Sequence, residues 1–192
     1  MRSNTLTTGR RVGLAGLLLS TSLALAAPAA AQTGGVPGGT TSTTTTTTPA
    51  PSGTAVLNPD GTATAPADAP RRVRKAINAG NRIRTKPYLW GGGHRSFKAK
   101  GYDCSGAVSY VLHAAGLLKR PMASGPFMRW RKPGIGQWIT VYANRGHMYA
   151  VIAGLRFDTS AVGESLRQGS GPRWRATARS AAGYAARYRP GL

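Results

Sequence analysis

The sequence predicts an α+β domain, and three observations predict it. Two stretches repeat apolar residues at helical spacing, one around Val73, Ala76, Ile77 and Gly80 and one from Cys104 to Gly116. Segments rich in β-branched and aromatic residues follow, Trp138 to Ala143 and His147 to Thr159, the second broken by the turn signal Ala153-Gly154. Between the two helical patterns lies Gly91-Gly92-Gly93, shortly ahead of the only cysteine, Cys104. Helices first and antiparallel strands afterwards is the order of an α+β fold. The roughly 120 residues involved suffice for one core and are too few for two.

The N-terminal third reads differently. Arg2, Arg10 and Arg11 precede an apolar run from Val12 to Leu25, and Ala29-Ala30-Ala31 offers small residues before Gln32. That is the anatomy of a secretory signal peptide over 1–31, and the run is short for a membrane span. An uncleaved anchor and a twin-arginine signal are weaker alternatives, and an extracytoplasmic location follows in each case. Residues 32–69 are mostly Thr, Gly, Pro, Ala and Ser, with an unbroken run from Thr43 to Thr48. Such a segment has too little apolar surface to offset ordering entropy and is expected to be a disordered linker, with O-glycosylation a compositional possibility. The folded domain is therefore assigned to 70–192.

Within it, Asp68 is expected to cap a first helix with Pro70 in its first turn, and the helix must end before Pro87. Three consecutive glycines suit a loop in which backbone closely approaches a ligand or a helix end. The central helix runs from Cys104, with Asp103 as N-cap and Gly116 as C′ residue, and Cys104, Val108, Val111, Leu112 and Ala115 on the core side. The stretch 119–136 is irregular, with Pro121, Pro126 and Pro133. Beyond Glu164 a final helix or strand is expected near 180–188.

The chemistry centres on Cys104. A thiol at a helix N-terminus meets the positive end of the dipole and unpaired backbone N–H groups, which favour the nucleophilic thiolate. A lone cysteine is otherwise a small buried hydrophobe, so the titratable partners decide. His113 lies nine residues along the helix, on the opposite face, and cannot reach the thiol. His94 sits in the glycine loop, where spacing neither includes nor excludes it. His147 heads a strand, a rigid element able to present it to the helix mouth. If Ala153-Gly154 is a two-residue turn, Tyr149 pairs with Asp158, and Asp158 becomes a diagonal neighbour of His147. A loop one residue different would present Thr159 instead. One Cys with scattered His does not make a zinc site, so neither metal nor other cofactor is expected.

Pro87-Tyr88-Leu89-Trp90-Gly91-Gly92, then Asp103-Cys104-Ser105-Gly106 opening an amphipathic helix, then a strand headed by Gly146-His147, resembles the NlpC-type cysteine peptidases, papain-like bacterial cell-wall hydrolases. The resemblance covers roughly 70–192. It implies a papain-like fold with the nucleophile at a helix N-terminus packed on an antiparallel sheet, and cleavage of peptide bonds in the peptidoglycan stem, commonly between D-glutamate and a diamino acid. By position it implies Cys104 as nucleophile, His147 as general base and Asp158 as the third polar residue. It places Tyr88 beside the nucleophile and, with Ser105, at the substrate and oxyanion position. Two departures stand out. The strand before the histidine opens Gly136-Gln137-Trp138 without the family's usual acid, and the gap between Tyr88 and Cys104 is long.

Charge narrows the partners. The chain has 26 Lys and Arg against five Asp and Glu, a net charge of +21. In a cytoplasmic protein that excess points to nucleic acid. In a secreted one it points to peptidoglycan stem peptides and anionic wall polymers through long-range attraction, with Arg82, Arg84, Arg95, Lys98 and Lys100 flanking the loops, so no nucleic-acid partner is expected. A monomer without a membrane span is expected after signal cleavage. The rival functions are an amidase or transacylase on the same scaffold and a catalytically inactive basic wall- or polyanion-binding module.

Overall fold

The first helix owes its place to one apolar stripe and one glycine. In the computed structural model, which describes residues 53–160, 171–176 and 178–192, α1 spans Arg71–Ile83 and buries Val73, Ala76, Ile77, Ala79, Gly80 and Ile83 while its arginines stay outside. A Cβ at Gly80 would stand 2.4 Å from the Trp174 ring, so only glycine lets that indole lie across the helix. The cap differs from expectation. The residue before the helix is Pro70, with φ −55° and ψ 150°, and no side chain caps the first turn. The helix starts two residues later than a cap at Asp68 requires.

The central helix α2, Cys104–Ala114, follows the sequence reading closely. Asp103 is the N-cap and accepts a hydrogen bond from Gly106 N–H. Gly116, with φ +71°, takes the left-handed position past the C-cap residue Ala115. Val108, Val111, Leu112 and Ala115 are buried. A short helix α3, Ser124–Phe127, and a two-residue strand β3, Lys132–Pro133, punctuate the stretch expected to be irregular.

The expected strands are present. Strands β4 (Ile139–Ala143), β5 (Met148–Ile152) and β6 (Leu155–Asp158) form an antiparallel run. Ala153 and Gly154 both have positive φ, 47° and 82°, so the two-residue turn is of the primed kind that matches strand twist. The arginine- and alanine-rich tail supplies two further strands: β7 (Arg173–Arg175), which no local pattern announces, and β8 (Ala185–Tyr188), the strand alternative expected near 180–188. The six-stranded sheet has the order β3-β8-β4-β5-β6-β7. Ile139, Val141, Met148, Ala150, Ile152, Phe157 and Trp174 belong to the buried apolar core that also holds the inner faces of α1 and α2. This is the expected α+β architecture, with Cys104 at a helix N-terminus and helices packed on an antiparallel sheet.

The expected linker, 32–69, extends too far. Its part up to residue 52 lies outside the described residues, as do the expected signal peptide and Glu164, but 53–69 is folded. It forms a hairpin of β1 (Val56–Leu57) and β2 (Ala63–Thr64) paired antiparallel. Composition concealed this because the segment relies on small contacts and backbone bonds instead of bulky apolar residues. Ala55, Ala63 and Ala69 are at most 4% exposed, and Ala55 N–H donates to Ala153 C=O at 2.8 Å. Asn81 on α1 completes the attachment. Its Oδ1 accepts from Ala63 N–H and from Trp174 Nε1–H, both at 2.8 Å, and its Nδ2 donates to Ala63 C=O at 2.9 Å.

One side chain thus ties the hairpin, α1 and β7 together. Asn81→Ala leaves two N–H donors and a carbonyl without partners, so a loss of about 3 kcal/mol is expected in urea unfolding. Amide exchange should accelerate first at 56–64. A loss under about 0.5 kcal/mol would show that the hairpin is held by something else.

Candidate active site

The helix mouth is assembled around Asp103. Besides capping Gly106, its carboxylate accepts from Gly91 N–H at 3.1 Å and from Ser105 Oγ at 3.1 Å. His94 Nε2 lies 3.0 Å from Asp103 Oδ1 and 2.9 Å from Ser105 Oγ. The glycine loop lies directly against the helix end: Asp103 N–H donates to Gly92 C=O, and a Cβ on Gly106 would come within 1.9 Å of that same oxygen. Of the two uses offered by three glycines, close approach to a helix end is the one realised. Cys104 is half-buried at this mouth. The first helical bond runs from Ala107 N–H to Asp103 C=O, so the N–H groups of Cys104 and Ser105 have no acceptor within the helix.

His147 is delivered by the tight turn between β4 and β5. Asn144 Oδ1 accepts from Gly146 N–H and His147 N–H at 2.9 and 2.8 Å, fixing the residue just before β5. The β5–β6 register pairs Ala150 with Phe157, which carried one step further sets Tyr149 opposite Asp158. His147 Nε2 stands 2.9 Å from Asp158 Oδ1, and the Cys104 side chain lies close enough to the ring to raise its pKa through hydrogen bonding and charge. The three side chains therefore form one row, thiol to imidazole to carboxylate.

Asp158 has no solvent-exposed side-chain surface. Burial alone would raise its pKa. The hydrogen bond and charge of His147, the N–H of Ser160 and the Arg179 guanidinium outweigh it and hold the carboxyl below its ordinary range. For His147 burial is again the largest influence and pulls downward. Hydrogen bonds to Asp158 and Cys104, with their charges, overcome it and raise the imidazole to about 9. The ring is thus an imidazolium at neutral pH, its charge balanced by the Asp158 carboxylate.

The remaining expected residues are placed as follows. Tyr88 is bridged to Tyr102 and is about one-third exposed. Its hydroxyl pKa is raised by burial and then by the charges of Cys104 and Asp103, so it borders the thiol. Ser105 is 3% exposed, and its hydroxyl is committed to Asp103 and His94, so its side chain braces the cap beneath the mouth instead of facing a substrate. Thr159 is buried next to Asp158 without replacing it beside His147. His113 stays away from the thiol: its Nδ1 bonds Leu118 C=O and its ring stacks on Phe97 at 3.8 Å.

Sequence reasoning missed two residues of the site. Arg179 Nη1 reaches Asp158 Oδ2 at 3.3 Å, its Nη2 donates to Tyr184 hydroxyl at 2.9 Å, and its guanidinium lies over the Tyr149 and Tyr184 rings at 5.6 and 5.5 Å. Tyr184 in turn meets His147 edge-on at 6.5 Å. Arg179 occupies one carboxylate oxygen and leaves the other for the imidazole. Among 23 basic residues after the N-terminal region, no local pattern distinguishes it. Arg82 and Arg84, expected at the cleft, are engaged elsewhere, with Tyr110 hydroxyl and with Asp60. Among the described residues no cluster of His, Cys, Asp and Glu has the makings of a metal site, and no helix is long and apolar enough to cross a membrane.

Fold and site together define a cysteine–histidine–aspartate row where a helix mouth meets an antiparallel sheet. No family model and no curated protein matches the sequence. Among solved structures the chain is similar to a hypothetical invasion protein of Mycobacterium tuberculosis, at 23% identity over 65% of this chain and 68% of that one, with a TM-score of 0.43. The resuscitation promoting factor interacting protein RipA gives the same figures. RipD from Mycobacterium tuberculosis, described as a non-catalytic NlpC/p60 domain protein adapted to peptidoglycan binding, matches at 20% identity over 62% of this chain and 98% of that one, with a TM-score of 0.44.

The geometry sets two expectations. In an NMR titration the His147 imidazole should lose its proton near pH 9, and its midpoint should fall in both Cys104→Ala and Asp158→Asn. Because the folded-state value lies above the ordinary 6.5, the stabilisation it supplies is fully present below about pH 6.5 and is lost as pH rises through about 9. A wild-type midpoint near 6.5 would contradict the row. Asp158→Ala should cost about 3–5 kcal/mol, since it strands buried cations without their counter-charge.

Proposed function

We propose that this chain is a secreted peptidoglycan hydrolase, a cysteine endopeptidase that cuts stem peptides by a thiol mechanism, at the bond between D-glutamate and a diamino acid. The observation that carries the reading is the row Cys104–His147–Asp158 at the mouth of α2. A thiol that only packed a core has no need of an imidazole bonded to a buried carboxylate. The NlpC-type motif around Tyr88, Cys104 and His147 supplies the substrate class. The signal-like segment over 1–31 and the low-complexity segment after it support a location in the cell envelope, on a tether. The chain acts as a monomer without cofactor.

In this mechanism the Cys104 thiolate, paired with protonated His147, attacks the amide carbonyl. The N–H groups of Cys104 and Ser105 stabilise the oxyanion at the positive end of α2. His147 gives its proton to the leaving amine as the tetrahedral intermediate collapses to a thioester. The neutral imidazole then takes a proton from water, the hydroxide attacks the thioester, and Cys104 leaves as thiolate, restoring the ion pair. Asp158 holds the imidazole in one orientation throughout, and Tyr88 flanks the thiol on the loop side.

Cys104→Ala should lower digestion of purified cell wall by about 10⁴-fold or more with the fold intact. Wild-type activity should decline as pH rises past about 9, where His147 loses the proton it must donate. Mass spectrometry of released fragments identifies the bond and separates an endopeptidase from an amidase or a transacylase. Equal wall digestion by wild type and Cys104→Ala would sink the reading. Salt-sensitive wall binding without turnover would instead mark an inactive binding module.

A further inference from the structure

Beside the candidate active site lies a second polar feature that the thiol mechanism leaves unused. A cleft of about 680 Å³ between α3 and β8 is lined by Gly125, Pro126, Met128 and Ala185 and by three arginines, Arg129, Arg145 and Arg187. Arg145 sits in the β4–β5 turn two residues before His147, and its carbonyl accepts a bond from Ser124 Oγ on α3. Ala185 and Arg187 follow Tyr184, the ring edge-on to His147, and they pair with Ala143 and Val141 of β4. The cleft therefore lies beside the turn that presents His147, with Arg145 two positions from that residue along the chain.

Its chemistry is one-sided. Arg187 Nε is fully buried and has no hydrogen-bond partner among the described residues. A buried charged donor without an acceptor is costly, and a guanidinium is shaped to take an oxyanion through two parallel bonds. The walls other than the arginines are glycine, alanine, proline and methionine, which supply no acceptor side chain and leave room for extended peptide.

We infer that Arg129, Arg145 and Arg187 form an anion subsite that binds carboxylate groups of a peptide lying across Cys104 and His147. The identity of the ligand rests on the wall-peptide reading above; the oxyanion chemistry does not. A peptide whose scissile amide lies at Cys104 carries its neighbouring carboxylates toward the Arg145 turn, whereas a phosphodiester polymer has no anchor at the thiol.

Calorimetric titration of full-length Cys104→Ala protein tests this without turnover. The probes are an acidic tetrapeptide with two free carboxylates, the same peptide with both amidated, and inorganic phosphate. The acidic peptide should bind roughly tenfold or more tightly than the amidated one. Arg145→Gln, on an exposed turn, and Arg187→Gln should each remove most of that preference, while Lys75→Gln on the outer face of α1 should leave it intact. The Arg145 variant keeps the test meaningful should the Arg187 variant disturb β8. Equal binding of the two peptides, a preference that survives both arginine variants, or phosphate bound more tightly than the acidic peptide would overturn the inference. If wild type fails to digest wall while the carboxylate preference persists, the hydrolase reading fails and the subsite stands.

Discussion

A single buried carboxylate organises the polar half of this protein. Asp158 has no exposed side-chain surface, yet it is met by His147 at 2.9 Å, Arg179 at 3.3 Å and Arg156 at 3.7 Å. Arg156 and its cross-strand partner Arg175 are themselves at most 2% exposed. Cations withdrawn from water to this degree are tolerated only against a nearby negative charge. The strand pair β6–β7 therefore depends on Asp158 as much as the imidazole does. Stability and candidate chemistry share one carboxyl group.

The apolar half is tied to a different carboxylate. Asp103 joins the glycine loop, His94, Ser105 and the first turn of α2, so the thiol is positioned by a network that makes no reference to the sheet. His147 is positioned by the Asn144 turn and Asp158, with no reference to the helix. Cys104 and His147 meet because α2 lies against β5 and β6, and the core residues Val108, Val111, Leu112, Met148 and Ala150 fix that contact. Each half of the row is rigid on its own. Their separation is set by close-packed side chains, which hold such distances to fractions of an ångström.

What the sequence disclosed follows from how local each signal is. The Asp103 cap, the Gly116 stop and the Ala153-Gly154 turn are encoded within a few residues, and the turn fixes strand register, which is why Asp158 was reachable by counting. Arg179 and Tyr184 were not, because their roles depend on a tail segment folding back over Tyr149, a long-range contact without periodicity. The same is true of 53–69. Its attachment comes from an asparagine on α1, so its own composition gave only the look of a tether. Ser105 shows the converse limit. A motif placed it near the nucleophile, but the direction of its side chain is decided by His94, eleven residues away in a loop whose path spacing cannot predict.

The charge acts on two length scales that must be kept apart. A net charge of +21 repels an added proton, and on its own it would lower the imidazole pKa. His147 nonetheless rises to about 9, because Asp158 and Cys104 act at hydrogen-bond distance, where solvent and salt screen little. The general positive field reaches only about 8–10 Å through salt solution. It gathers anionic material at the surface without selecting where that material docks. Selection requires a place where the cations are fixed, concave and partly desolvated. The cleft lined by Arg129, Arg145 and Arg187 groups three arginines near the turn that carries His147, whereas Arg84 is paired with Asp60. Long-range charge and fixed arginines are thus separate contributions, the first without direction and the second tied to named positions.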